Sequence, residues 1–171
     1  MLVDKFSEIF AGNVNHYGLY VKGGHRFVHE AVTKELYQQH LEGLISLGIV
    51  PIRADGKCKF GCLDLDDHKK NGRKIKDFDY KTLLEKIKFL KLPLVVCRSK
   101  SGGAHCYLFL DEWTNAKGVR AILAKFAYAL GYERGTVEIF PKQDSLKHGD
   151  SGSFINLPYH GGNSRMVVSD E

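Results

Sequence analysis

Two aspartates at alternate positions end an apolar run in the stretch FGCLDLDDH, residues 60–68. Successive side chains of a strand point to opposite faces, so Asp64 and Asp66 would lie side by side on one face. Two carboxylates that close repel each other unless a cation lies between them, and hard oxygen ligands suit Mg²⁺ or Mn²⁺. The spacing therefore indicates a divalent metal site, although a solvated strand end remains the simpler interpretation of the two aspartates alone.

A third carboxylate interrupts another apolar stretch. Glu138 lies between Val137 and Ile139 and would face away from both, toward the side that carries the two aspartates. Three carboxylates could hold one or two divalent ions, about 3.5–4 Å apart, of the kind that activates a 3′-hydroxyl and stabilises leaving pyrophosphate in nucleotidyl transfer. The alternative is a surface glutamate paired with Lys142, four residues further on.

The stretch RSKSGGAH, residues 98–105, has the composition of a phosphate site. Glycines let backbone N–H groups approach a phosphate closely, and the side chains of Arg98, Ser101 and His105 can donate to its oxygens. Lys142 could reach the same phosphate. The alternative is a glycine-rich hairpin turn, in which His105 is a structural residue at the start of a strand.

The chain carries a formal net charge of +5, and its sequence pI near 9.0 makes a polyanionic partner plausible. Part of this charge lies in the loop HKKNGRKIK, directly after the aspartates. A basic run is most often only a solvated loop, but its position beside a metal site favours contact with nucleic-acid phosphates. The predicted nucleic-acid contacts are Lys69, Lys70, Arg73 and Lys74.

Composition limits the class of protein. The 171 residues, 43% of them hydrophobic, fit one compact domain. The spacing of the four cysteines does not match a zinc site, so we expect buried free thiols in a reducing compartment. Because no stretch resembles a membrane span or a secretory signal, we expect an intracellular, cytoplasmic protein without a membrane partner.

Hydrophobic periodicity predicts the elements that position these residues. Before residue 60 it predicts a helix that begins near Glu30 and ends before Gly48, then a strand over residues 50–54. The later elements are a strand over 60–66, a helix over 79–91, hairpin strands over 94–99 and 104–110, a helix over 115–131, and extended segments over 136–141 and 153–160. The order βαββαβ predicts an α+β fold, in which an RRM-like or ferredoxin-like antiparallel sheet carries both helices on one face. Residues 1–59 would add an N-terminal α/β layer to the catalytic part, 60–171.

A D-x-D pair, a glycine-rich turn with a trailing histidine, and a strand glutamate, in this order, resemble the catalytic core of the archaeo-eukaryotic primase superfamily. The upstream segments EIFAGN, HLEG and LGIVPI are similar to the primase-polymerases of phages, plasmids and conflict systems. The resemblance implies that Asp64, Asp66 and Glu138 are catalytic and bind two Mg²⁺ or Mn²⁺ ions, and that His105 contacts the nucleotide triphosphate. Gly103 stands where the family's S-x-H motif has serine, so that role is lost or passes to Ser99 or Ser101.

The implied function is template-directed nucleotidyl transfer, as a DNA primase or polymerase that uses a single-stranded DNA template, a primer and dNTPs or NTPs. We also expect an additional C-terminal domain or a helicase partner, with these 171 residues forming one catalytic domain. Two alternatives stay open. One is a non-catalytic RRM-like nucleic-acid-binding module, although AHCYLFL lacks the aromatic pattern of such modules. The other is a different ferredoxin-like nucleotidyl enzyme, such as a cyclase or a polymerase palm.

Overall fold

Within residues 2–65 and 78–169, which the computed structural model describes, the chain forms two four-stranded antiparallel sheets and four helices. The helices are α1 (Leu2–Ile9), α2 (Lys34–Leu41), α3 (Tyr80–Phe89) and α4 (Ala116–Ala129). The strands are β1 (Tyr17–Val21), β2 (Gly24–Val28), β3 (Ser46–Ile49), β4 (Lys57–Leu65), β5 (Val95–Arg98), β6 (Ala104–Asn115), β7 (Glu138–Phe140) and β8 (Ile155–Asn156).

One sheet has the strand order β5-β6-β4-β7, with every neighbouring pair antiparallel. Its chain order is β4, α3, β5, β6, α4, β7, so the predicted βαββαβ arrangement and the α+β fold class are confirmed. The ends of the helices follow the expected chemistry. The side chain of Asp79 accepts from Thr82 N–H at the start of α3, and that of Asn115 accepts from Lys117 N–H at the start of α4.

The other sheet has the order β2-β1-β3-β8. Three of its strands come from the predicted N-terminal layer, but the fourth comes from residues 155–156 near the other end of the chain. Gly48 pairs with Asn156, and Ile49 pairs with Ile155. This long-range pairing brings the C-terminal part of the chain against the N-terminal layer, beside the sheet that carries the predicted site.

Two hydrophobic clusters hold these layers together. One lies between α3, α4 and the sheet β5-β6-β4-β7, and the other contains side chains from both sheets together with α1 and α2. The Phe10 ring joins the second cluster, with its centroid 5.4 Å from that of Phe60, 5.2 Å from Tyr107 and 5.3 Å from Phe109. These ring contacts fix one sheet relative to the other. Truncating a buried Phe to Ala typically costs about 3–5 kcal/mol, so the Phe10 side chain is expected to contribute strongly to this packing.

The helix predicted from Glu30 to Gly48 is shorter than expected. The helix α2 ends near Gly43, which has φ of +80°, a conformation that glycine adopts at the end of a helix without steric cost. Gly48 does not end a helix but lies in β3. A Cβ atom there would overlap the ring of Phe154, so a tertiary contact, not local turn chemistry, accounts for this glycine.

Three further sequence expectations have clear outcomes. The strand predicted over 50–54 was wrong, because the strand in this region is β3 at Ser46–Ile49. The four cysteines are buried and free, as expected. Burial raises the pKa of Cys58, Cys97 and Cys106 to about 12, so these thiols stay protonated at neutral pH. None of the helices in the described residues is both long and apolar enough to cross a membrane.

Candidate active site

Antiparallel register places three of the predicted site residues in one row across the sheet. Asp64 on the central strand β4 lies opposite His105 on β6, and it also lies opposite Glu138 on β7. Directly opposed residues of antiparallel strands have Cβ atoms about 4.5–5.5 Å apart. The sheet therefore brings together an imidazole and two carboxylates that are far apart in the sequence.

Asp64 occupies the centre of this row and is largely buried, with 13% of its side chain exposed. Its Oδ1 lies 3.3 Å from His105 Nε2, within the distance of an ion pair. Nevertheless, this buried oxygen has no hydrogen-bond partner among the described residues. An unsatisfied buried acceptor typically costs about 1–3 kcal/mol, and more when it is charged, so a bound cation or donor would be stabilised here.

The other ring nitrogen of His105 contacts a buried hydroxyl. Nδ1 is 3.2 Å from the Oη of Tyr107, and this hydroxyl also donates to the main-chain oxygen of Asn156 at 3.2 Å. Tyr107 is fully buried, and burial raises its pKa well above the usual value, so the hydroxyl keeps its proton. Through this hydroxyl, the histidine on β6 is connected to β8 of the other sheet.

Glu138 lies at the exposed end of the row. Lys142 Nζ donates to Glu138 Oε1 at 3.0 Å, with 39% of the lysine side chain and 49% of the glutamate side chain exposed. The surface pair considered as an alternative from the sequence is therefore present. Such exposed pairs contribute about 0–1 kcal/mol, so a bound ion or phosphate could replace either partner at little cost.

The glycine-rich turn between β5 and β6 is tied to α3. Tyr80 Oη donates to the main-chain oxygens of Gly102 and Gly103, at 3.0 and 2.7 Å. Within the turn, the hydroxyls of Ser99 and Ser101 are 2.9 Å apart, and Ser99 is buried. These contacts place the two hydroxyls beside the row of His105 and Asp64, close to the position where the sequence has glycine in place of the motif serine.

Arg98 has a different environment from the other predicted phosphate ligands. Its guanidinium carbon lies 4.5 Å from the centre of the Tyr80 ring, so it packs against α3. Its neighbour Cys97 is part of the cluster between the two sheets, and alternation turns Arg98 to the opposite face. Arg98 is not among the residues that line the cavity described next.

An open cavity of about 540 Å³ lies above the row, a volume typical of small-molecule sites. The sheet that carries the row, its turns and the residues after β7 contribute Asp64, Ser99, Lys100, Ser101, His105, Glu138, Phe140 and Lys142. The other wall consists of His25, Phe154, Ile155 and Asn156. The structure thus brings Asp64, His105, Ser101, Glu138 and Lys142 around one cavity.

Several lining residues were not predicted from the sequence, namely His25, Phe154 and Asn156. Asn156 lies in β8, within the extended segment predicted over residues 153–160. The Phe154 ring packs where Cβ atoms at Gly18 and Gly48 would lie. Glycines in two paired strands were the one signal in the sequence for a side chain lying across them.

The sequence profile of the family described as "TOTE conflict system, Archaeo-Eukaryotic Primase domain" matches residues 22–169. The chain belongs to this family. No curated protein matches the chain. The matched segment contains the sheet β5-β6-β4-β7 with the whole row from His105 to Glu138, and the strands β2, β3 and β8 of the other sheet, so the α+β fold is that of an archaeo-eukaryotic primase domain. Membership supports a primase-like nucleotidyl-transfer superfamily and, in general terms, divalent-metal use together with nucleotide and nucleic-acid binding.

Some of the residues predicted for this primase domain lie outside the described residues. These are Asp66 and the basic residues Lys69, Lys70, Arg73 and Lys74. Within residues 2–65 and 78–169, no group of three or more His, Cys, Asp or Glu side chains is arranged to hold a metal ion. Of the three carboxylates predicted to bind metal, Asp64 and Glu138 lie within the described residues.

Proposed function

We propose that this primase domain catalyses template-directed nucleotidyl transfer on single-stranded DNA, adding nucleotides from dNTPs or NTPs to a primer 3′ end. The bond that forms joins the primer 3′-oxygen to the α-phosphorus, and the bond that breaks releases pyrophosphate. The observation that carries the proposal is the row of His105, Asp64 and Glu138 on one cavity wall, in which a buried carboxylate oxygen of Asp64 receives no hydrogen bond from the part of the chain that the structure describes.

The donor set fits Mg²⁺ or Mn²⁺. Asp64 and Glu138 offer hard carboxylate oxygens, and the Asp64 oxygen that lacks a hydrogen bond within the described residues favours a cation. Asp66, which shares a face with Asp64 in the sequence pattern, stays a predicted third ligand. When bound, two such ions supply activation of the 3′-hydroxyl and neutralise charge on the leaving pyrophosphate.

The side chains around the cavity supply the remaining electrostatics. His105 can direct an N–H toward a phosphate oxygen when Asp64, which faces its Nε2, has a bound cation as its partner instead, and the Tyr107 hydroxyl orients the ring from the other side. The Ser101 hydroxyl can donate a hydrogen bond, and the Lys142 ammonium can neutralise phosphate charge. Groups that are already oriented need little reorganisation as charge develops, which is the main way in which such sites accelerate phosphoryl chemistry.

The alternative of an RRM-like binding module is disfavoured by what covers the sheet. Such modules stack bases on exposed aromatic side chains of their central strands. Here Phe60 on β4 and Tyr107 on β6 have no exposed surface, because the second sheet and the Phe10 ring cover them. A nucleic acid could not stack on these rings without separating the two sheets.

Primer extension tests the proposal. Wild type, Asp64→Asn and the control Asp111→Asn are incubated with a primed single-stranded DNA, labelled dNTPs or NTPs, and Mg²⁺ or Mn²⁺. Asp111 is an exposed residue of the same sheet, outside the cavity. We expect extension by wild type and by the control, and a loss of at least about 100-fold in Asp64→Asn, because its carboxylate charge is removed while its shape is kept.

Circular dichroism and thermal unfolding verify that each variant is folded. Full activity of Asp64→Asn would contradict the proposed site. A folded wild type that extends no primer with either metal and either kind of nucleotide would contradict the proposed activity.

A further inference from the structure

The wall of the cavity opposite the carboxylates carries an amide that the proposed chemistry does not use. Asn156 lies in β8, belongs to the second sheet and lines the same cavity as Asp64 and His105. Its Nδ2 is 3.3 Å from His25 Nε2. Its Oδ1 is buried and has no hydrogen-bond partner among the residues that the structure describes.

In either orientation, the amide leaves one buried polar atom without a partner among the described residues. With Nδ2 toward His25, the side-chain oxygen is the unsatisfied group, and it needs a donor. With the amide rotated by 180°, Oδ1 accepts from His25 Nε2–H, and the unsatisfied group becomes Nδ2, which needs an acceptor. A hydroxyl both donates and accepts, so it satisfies the amide in either orientation, whereas phosphate oxygens only accept and ammonium groups only donate.

Asn156 also lies where we expect the sugar of a bound nucleotide. Its main-chain oxygen is joined to His105 by a single bridging hydroxyl, that of Tyr107. In a nucleotide the sugar directly follows the α-phosphate. A nucleotide whose phosphates contact His105 and Ser101 therefore has its sugar near the neighbouring β8 wall.

The surroundings of the amide suit a sugar and a base better than a second phosphate. The half-buried ring of Phe154 lies over Gly18 and Gly48 and forms an apolar part of the same wall. The His25 ring lies against it, with centroids 5.7 Å apart. A few polar groups, here Asn156 and His25, on a wall that also carries the apolar side chains of Phe154 and Ile155 are the usual composition of a site that fixes the orientation of a small ligand.

We propose that Asn156 binds a sugar hydroxyl of the incoming nucleotide, so that nucleotide affinity depends on the 2′- or the 3′-hydroxyl. This inference rests on the proposed function, because it requires a nucleoside triphosphate in the cavity. A site that hydrogen-bonds a hydroxyl through a buried group discriminates against the analogue that lacks it, since the buried group is then left unpaired.

Binding of three related nucleotides tests this inference without requiring catalysis. ATP, 2′-dATP and 2′,3′-ddATP compete with a fluorescent ATP analogue for wild type, Asn156→Ala and Asn156→Leu in Mg²⁺ buffer. The matched control is Asn163→Ala, an exposed asparagine outside the cavity. Leucine has the same branched arrangement of side-chain heavy atoms as asparagine, with methyl groups in place of the amide oxygen and nitrogen, so it keeps the wall filled if the alanine variant is unstable.

We expect wild type and Asn163→Ala to lose about 10-fold in affinity when one particular hydroxyl is removed, and the Asn156 variants to lose this discrimination. Loss at the ATP-to-dATP step assigns the 2′-hydroxyl, and loss at the dATP-to-ddATP step assigns the 3′-hydroxyl. The inference is overturned if wild type binds all three equally, or if its discrimination survives in folded Asn156 variants. If folded wild type binds none of the three, the proposed function itself fails.

Discussion

The regions around two buried histidines, His40 in α2 and His105 in β6, differ in what their ring nitrogens contact. His40 has no exposed surface, and both of its ring nitrogens contact main-chain atoms. Nε2 lies 2.7 Å from the oxygen of Pro158, and Nδ1 accepts from Leu47 N–H at 3.0 Å. Because a backbone donor points at Nδ1, the ring proton must be on Nε2, and the backbone fixes one neutral tautomer.

His105 is almost as buried, with 7% exposed, but its two nitrogens contact side chains: the carboxylate of Asp64 and the hydroxyl of Tyr107. It also lines the cavity. A carboxylate and a hydroxyl can change partners when a ligand binds, whereas main-chain groups in a packed layer cannot. Burial alone therefore does not distinguish the two histidines, and we propose that the nature of the partners separates the structural His40 from the functional His105.

Lowering the pH should give the largest measurable effect at His40. Burial lowers the pKa of His40 to about 4, whereas the ring titrates near 6.5 in an unfolded chain. The native state holds the ring neutral, so the resulting stability is present above pH 6.5 and is lost as the pH falls toward 4. We expect this histidine to remove about 3 kcal/mol from the free energy of unfolding over that interval, measured by urea denaturation at each pH.

His40→Asn is the control for this effect, because asparagine does not titrate. The variant should be less stable at pH 7, but its stability should fall less steeply between pH 6.5 and 4. A smaller slope should remain, because the pKa of His160, whose ring lies 5.5 Å from that of His40, is also lowered by burial. If the free energy of unfolding fell equally steeply with pH in both proteins, His40 would not be a histidine that the fold keeps neutral.

At His105, we expect substitution to reduce activity strongly and stability only slightly. Under the proposed function, His105→Gln should reduce primer extension about 100-fold, because a phosphate-directed donor is lost from a preorganised site. The free energy of unfolding should change by less than about 1.5 kcal/mol, since no main-chain group loses its partner at this ring. Primer extension and urea denaturation are measured on the same preparations.

His148→Gln serves as the matched control, because His148 is exposed and lies outside the cavity. It should leave both quantities unchanged. If His105→Gln were fully active but strongly destabilised, His105 would be a second structural histidine, and the distinction between the two regions would disappear.

The two regions also differ in how far the sequence predicts them. Alternation along β4 and β7, together with the βαββαβ order, was enough to place Asp64, Glu138 and His105 on one face of the sheet, although not to predict that a second sheet covers most of that face. The information needed lay within short segments and a common supersecondary pattern. The helix over residues 79–91 was recognisable for the same reason, since its apolar spacing and the following Pro93 are local signals.

The other wall depends on contacts between distant parts of the chain. His25 and Asn156 are 131 positions apart and meet because β8 adds to the N-terminal sheet. No local pattern in a two-residue strand predicts that pairing. The helix predicted to Gly48 failed for a related reason, because the Phe154 ring that explains this glycine comes from a distant segment.

The smallest expected effect comes from removing a single tyrosine hydroxyl in each region. Tyr37 and Tyr107 are both buried tyrosines in the cluster between the sheets. Tyr37 Oη donates to the main-chain oxygen of Phe10 at 3.0 Å, in the region of His40. Replacing either tyrosine with phenylalanine removes one buried hydroxyl and leaves the ring packing intact, so each should lose about 1–1.5 kcal/mol of stability in urea denaturation.

Only Tyr107→Phe should also affect nucleotide chemistry. The Tyr107 hydroxyl orients His105 from the side opposite Asp64, and without it the ring can rotate or change its tautomer. We expect about a 10-fold loss of primer extension in Tyr107→Phe and none in Tyr37→Phe. Histidine ¹⁵N chemical shifts, which report the tautomer directly, should change at His105 in the first variant only. Equal activity of the two variants would mean that the Tyr107 hydroxyl holds the sheets together but does not position His105.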